Sequence, residues 1–246
     1  MWLDPFFPNK LAQDIVATSL TFIVSLLWLR LMDTLAHRGL IAQQLSRKII
    51  HTGTGPLFLL CWQLFSSQPW ARFFAALVPL AITAQFAAVG LGLIQDPAAV
   101  QAMTRRGDRR EILRGPLYYG LVFVAATLIF WRTAPAGVVA LMLLCGGDGL
   151  ADIVGRRWGT ARLPFNPAKS WAGSLAMFLG GFAFALVFLL LFNALGDFNP
   201  PMSLDSIVPK VALIALVAAV VEALPLGEAD NLSITVVGAA MGLLLL

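Results

Sequence analysis

The run from Ser170 to Gly196, "SWAGSLAMFLGGFAFALVFLLLFNALG", contains no ionisable residue. A helix of roughly 20 apolar residues crosses the hydrocarbon core of a bilayer, and this run is long enough to do so. Comparable runs, without charge or nearly so, recur at residues 15–29, 53–70, 73–95, 115–131, 133–147, 207–221 and 232–246. Lipid offers no water to satisfy backbone groups, so such runs close their hydrogen bonds internally, as helices. The predicted fold is all-α: a polytopic transmembrane helical protein of about eight spans, roughly seven to nine. Several runs are short for a bilayer core, and tilt or local thinning makes up the difference.

Composition points the same way. Of the 246 residues, 59% are hydrophobic and 12% charged, against roughly 25% charged in soluble domains. No Pro/Ser/Gly-rich linker, internal repeat or low-complexity tract interrupts the chain, so residues 1–246 read as one integral membrane domain. The first segment, "MWLDPFFPNKLAQD", lacks a basic n-region and a cleavage site, and the run after it reads as a retained span. Cys61 and Cys145 fall in apolar runs, where they read as small buried hydrophobes rather than a disulfide framework.

The net charge of +4 does not call for a nucleic-acid partner, because basic loops orient membrane spans. With eight spans, the loops holding Arg38, Arg47 and Lys48, then Arg105, Arg106, Arg109, Arg110 and Arg114, then Arg156, Arg157, Arg162 and Lys169 fall on one side. That side is predicted to be cytoplasmic, with both termini on the other. Such loops also attract anionic headgroups or nucleotides.

The residues able to do chemistry gather in the same loops. Asp148 and Asp152 stand at i and i+4, so on a helix both carboxylates point one way. They could bind Mg²⁺, which takes oxygen ligands, keeps waters and shares substrate phosphates, or they could pair with Arg156 and Arg157 on a solvated loop. The turn "NPAKS" sets Lys169 and Ser170 at the start of the long apolar helix, whose free N–H groups and dipole favour an anion; the alternative is a lysine that only snorkels to the headgroups. Lys48 and His51 share a helical face at the mouth of a span, as phosphate contacts or as an interfacial anchor. Glu111 sits in a charge run that reads as a solvated surface. Glu222 closes an apolar run before Pro225, a depth at which an ionisable residue implies a role. Asp230 and Asn231 could supply oxygen ligands or cap the last span.

Taken in order, "RKIIH" (47–51), "GDRREILRGPLYY" (107–119), "GDGLADIVGRRWG" (147–159), "LPFNPAKSWAGS" (163–174), "VEALP" (221–225) and "DNLSI" (230–234) resemble the phytol kinase and dolichol kinase (polyprenol kinase) family, with the second and fourth pieces closest to phytol kinases. The resemblance extends distantly to phosphatidate cytidylyltransferases, which end in a basic, aspartate-rich signature where this chain has "EALPLGEADN". It implies transfer of the terminal phosphate of a nucleoside triphosphate, usually CTP, to an isoprenoid alcohol such as phytol, geranylgeraniol or farnesol, with Mg²⁺. On that reading Asp148 and Asp152 hold the metal, and Lys169 with Asn166, Ser170, Lys48, His51, Asp230 and Asn231 binds the nucleotide. Glu222 or Asp230 orients the alcohol or takes its proton. The competing expectations are a CTP-dependent diacylglycerol kinase, a cytidylyltransferase-like enzyme, and, outside enzymes, a transporter of an anionic metabolite. Against the transporter, the charges cluster at one membrane edge and not at mid-membrane.

Overall fold

Asn9 starts the first helix: its side chain accepts from the amides of Leu11 and Ala12, two of the donors that a helix start leaves without partners. The computed structural model describes residues 2–104, 106–225 and 230–246, and of Asp230 the backbone only. These form two compact units, residues 2–50 with 57–129, and residues 51–56 with 130–246.

In the first unit, α1 (Lys10–His37, 28 residues) exceeds the length a bilayer core requires, so its Arg30–His37 end can emerge into the headgroups. α2 (Gln43–Cys61) gives residues 51–56 to the second unit. α3 (Ala71–Leu91) ends at Gly92, whose φ of 80° is the left-handed conformation that a glycine adopts without a Cβ clash. A short helix, α4 (Pro97–Met103), and a 3₁₀ turn over Arg109–Leu113 lead into α5 (Gly115–Ile129). The Arg109 guanidinium lies against Gly92 at the C-terminus of α3, where the helix dipole favours a cation. The charge run is internally bonded: Glu111 accepts from the amide of Arg106 at 3.1 Å and Asp108 from that of Arg110 at 2.9 Å. Arg105 lies outside the described residues. At the opposite end, wholly buried Asp14 accepts from the amide and hydroxyl of Ser66 at 2.8 and 2.9 Å.

In the second unit, α6 (Pro135–Met142), a π-helical turn (Leu143–Asp148) and α7 (Gly149–Trp158) follow one another as a single apolar rod. Of its spanning window 72% is buried, against 39% or less in the other five long apolar helices, which makes it the core of the unit. A two-stranded antiparallel hairpin, β1 (Arg162–Leu163) and β2 (Asn166–Ser170), joins it to α8 (Trp171–Ala194). α9 (Leu204–Ala223) and α10 (Asp230–Leu245) complete the unit. α8 can lie against the π turn because it carries glycine there: a Cβ on Gly180 would stand 2.9 Å from the carbonyl oxygen of Gly146. Small residues of this kind let helix backbones approach in lipid. Away from the hairpin, Arg132 and Asp197 form a buried ion pair at 3.4 Å.

Among the described residues six helices are long and apolar enough to cross a membrane, and they correspond to six of the eight apolar runs. The protein is an all-α membrane protein. The other two runs are weaker: the run at 53–70 is helical only to Leu64, as the second half of α2, whose first half carries Arg47 and Lys48, and a 3₁₀ turn over Trp62–Leu64, and the last run is the short apolar helix Asn231–Leu245. The segment read as an NPAKS turn is strand β2; Pro167 fits there because a two-stranded hairpin consists only of edges. Both cysteines are buried and neither is in a disulfide.

Candidate active site

Within the second unit the chemistry-bearing residues form two groups, one where the π turn passes into α7 and one where the hairpin and the start of α8 meet the end of α9. Asp148 closes the π turn and is 8% exposed. His51 faces it, with Nε2 3.2 Å from the Asp148 carboxylate and 3.1 Å from the carbonyl oxygen of Leu144. Both neighbours are acceptors, so Nε2 carries a proton and donates to them. That fixes the tautomer and holds the Asp148 carboxylate in place. The approach depends on Gly149, where a Cβ would collide with the Thr52 hydroxyl one residue beyond His51.

Asp152 lies one turn further along α7 and accepts from Arg156 Nε at 2.8 Å. The two aspartates therefore have the expected spacing but hold different partners. The arginine pairing that was one of the two readings of Asp152 forms. Among the described residues no group of three or more His, Cys, Asp and Glu side chains could hold a metal.

The hairpin places the basic half of the site. Ser170 is the N-cap of α8 and its hydroxyl accepts from the amide of Gly173 at 3.1 Å, while the amide of Trp171 donates to the carbonyl of Ala161. With these two amides engaged, the helix start can attract an anion chiefly through its dipole. Asn166, buried at the hairpin root, donates from Nδ2 to the carbonyl of Ala223 at 3.0 Å, which ties β2 to the C-terminus of α9. Lys169 Nζ is then carried onto the carboxylate of Glu222, with which it is ion-paired and hydrogen-bonded. Glu222 is 3% exposed. A buried carboxylate needs such a partner, since burying it alone is strongly unfavourable.

The site thus brings His51 to Asp148, and Lys169 to Glu222, with Asn166 and Ser170 fixing the hairpin. Lys48 is half-buried on the same helix as His51 but belongs to the first unit. Asn231 lies in the first turn of α10, where its carbonyl accepts from Thr235. The side chain of Asp230 lies outside the described residues. The sequence reading missed the two pairings, because each joins residues far apart in the chain. The one signal that could have suggested the second is the need of a deep carboxylate for a cation.

No protein-family model and no solved structure matches the chain. Among curated proteins it is similar to the probable phytol kinase 1, chloroplastic, of Oryza sativa subsp. japonica, 46% identical over 90% of this chain and 71% of the relative. It is also similar to the probable phytol kinase, chloroplastic, of Zea mays, 44% identical over 92% of this chain and 75% of the relative. The phytol kinase 1, chloroplastic, of Arabidopsis thaliana is 38% identical over 92% of this chain and 74% of the relative. The span of these matches takes in the aspartate-bearing helix, the hairpin lysine and the buried glutamate together, and the chain belongs to the phytol kinase family.

Proposed function

We propose that this protein transfers the terminal phosphate of CTP to phytol, and less readily to geranylgeraniol or farnesol, at the cytoplasmic face of its membrane. The observation that carries the reading is the similarity to proteins named phytol kinases over about nine tenths of the chain. The arrangement of the site supports it, because phosphoryl transfer asks mainly for positioning and charge neutralisation.

In this reading Asp148, oriented by His51, and Asp152 hold Mg²⁺. Two carboxylates without a third protein ligand suit a cation that keeps its waters and takes phosphate oxygens. When bound, Mg²⁺ would neutralise charge on the phosphates. Lys169 moves from Glu222 to the nucleotide phosphates, which leaves the Glu222 carboxylate to take the alcohol proton. The alcohol oxygen bonds to the terminal phosphorus, the bridging P–O bond breaks, and CDP leaves with its electrons. Taking α2 and α10 as passes beside the six long helices, the basic loops share one face, and the excess of Lys and Arg there supports cytoplasmic loops with both termini outside.

The test is incubation of the purified protein with labelled CTP or ATP, Mg²⁺ and competing lipid alcohols. Phytol should react first and diacylglycerol last. A methylene in an apolar site is worth only about 1–3 kcal/mol, so related prenols are discriminated weakly, whereas burial of the ester groups of diacylglycerol without partners is penalised. Preferential formation of phosphatidic acid would instead identify a diacylglycerol kinase, release of pyrophosphate a cytidylyltransferase, and uptake into vesicles without turnover a transporter.

A further inference from the structure

The hairpin between α7 and α8 carries three large rings on its outside: Trp158 is 59% exposed, Phe165 54% and Trp171 58%. Its root is the opposite, with Leu163 2% and Asn166 8% exposed. The helices on either side, Pro135–Trp158 and Trp171–Ala194, are both long and apolar enough to span the bilayer, so the hairpin that joins them directly lies at its edge. Pro164 and Pro167 are also exposed, and the tip has no charged residue between Arg162 and Lys169.

Charge accompanies the rings. Between Gly155 and Trp171 the chain has Arg156, Arg157, Arg162 and Lys169 and no acidic residue. Arg156 is engaged by Asp152 and Lys169 by Glu222. Arg157 lies over the ring of Trp158 at 5.3 Å, and both Arg157 and Arg162 are exposed. Exposed rings beside exposed arginines fit one environment, the boundary between acyl chains and anionic headgroups: aromatic side chains settle at that level, and basic residues gain from the negative surface.

We propose that this hairpin is an interfacial wedge, with Phe165, Trp158 and Trp171 seated below the headgroups and Arg157 and Arg162 bound to anionic phospholipid. It would hold β2, and with it Lys169, at the depth where a membrane-dissolved amphiphile presents its head.

The experiment places an environment-sensitive dye at Phe165→Cys, and separately at Ala168→Cys, in the full-length protein. Cys61 and Cys145 are buried and should not compete for the label. The labelled protein is reconstituted in vesicles of phosphatidylcholine with or without phosphatidylglycerol. Both positions are exposed, so labelling does not disturb the core. The expected result is blue-shifted emission, quenched by lipid carrying a shallow nitroxide and shielded from iodide. Nitroxide on phosphatidylglycerol should quench more than the same nitroxide on phosphatidylcholine, and Arg157→Gln with Arg162→Gln should remove that difference. Each arginine is expected to contribute about a fivefold preference for the anionic lipid. Emission of a water-exposed dye at both positions, or equal quenching by the two lipids in the unsubstituted protein, would overturn the proposal, whether or not the preparation phosphorylates phytol.

Discussion

Lys169 pairs with Glu222 and is proposed to bind phosphate, and the two roles can be separated. Replacing it with methionine leaves the Glu222 carboxylate in a site where its side chain is 4% exposed, without the ammonium that faces it. Breaking one side of a buried ion pair costs about 3–5 kcal/mol. The Lys169 side chain is 23% exposed, so water reaches the pair, and a discounted figure of about 2–3 kcal/mol applies. For a chain of this size that corresponds to a fall in Tm of roughly 5–10 °C. Removing both charges, with Lys169→Met and Glu222→Gln, eliminates the uncompensated carboxylate and should recover most of that loss. Phytol phosphorylation should stay absent in both variants, because neither has the ammonium proposed to bind phosphate. The assay is size-exclusion fluorescence after heating in mild detergent, run beside turnover of labelled CTP. A single variant that melts like the wild type, or a double variant no more stable than the single one, would refute the energetic argument. Turnover regained by the double variant would remove Lys169 from phosphate binding.

Asp148→Asn and Asp152→Asn should each lower kcat about a hundredfold or more while leaving the protein in the membrane, since preorganised contacts act on transition-state charge; wild-type turnover in either excludes that carboxylate. Gly149→Ala drives a methyl into the Thr52 hydroxyl, and an overpacked contact of this kind should cost about 1–3 kcal/mol, read as a lowered melting temperature. Cysteines placed at Arg109 and Arg157 should resist impermeant labelling from outside intact cells and one at Asp205 should react. Labelling at Arg157 would invert the proposed orientation.

The helices were legible because lipid imposes a simple rule on sequence. The run beginning at Ser170 is α8 nearly to the residue, and the run at 207–221 falls inside α9. The run at 133–147 understated its helix, which continues through a turn containing Asp148 to Trp158, because apolar counting stops at the first charge. The site was legible as a set of residues and not as a set of contacts. Spacing put Asp148 and Asp152 on neighbouring turns and offered Asp152 an arginine on its own helix, yet nothing local indicates that Asp148 meets a histidine on α2. The hairpin was hidden for a similar reason: Asn-Pro reads as a turn, and only the tie from Asn166 to the end of α9 shows why the segment runs extended.

The π turn at Leu143–Asp148 gives the central helix an angular phase. Such turns hold about one residue more than an α-helical turn and often mark functional sites. Each α-helical residue advances by about 100°, so everything after the π turn faces a direction that an unbroken helix from Pro135 would not give it. Closing this turn as regular α-helix with no residue removed would leave every apolar side chain still suited to lipid or core. It would also swing Asp148, Gly149 and Asp152 together, away from His51 and Thr52. A substitution at Asp148 removes one carboxylate, whereas loss of the wide turn would misdirect the whole face proposed to carry the chemistry.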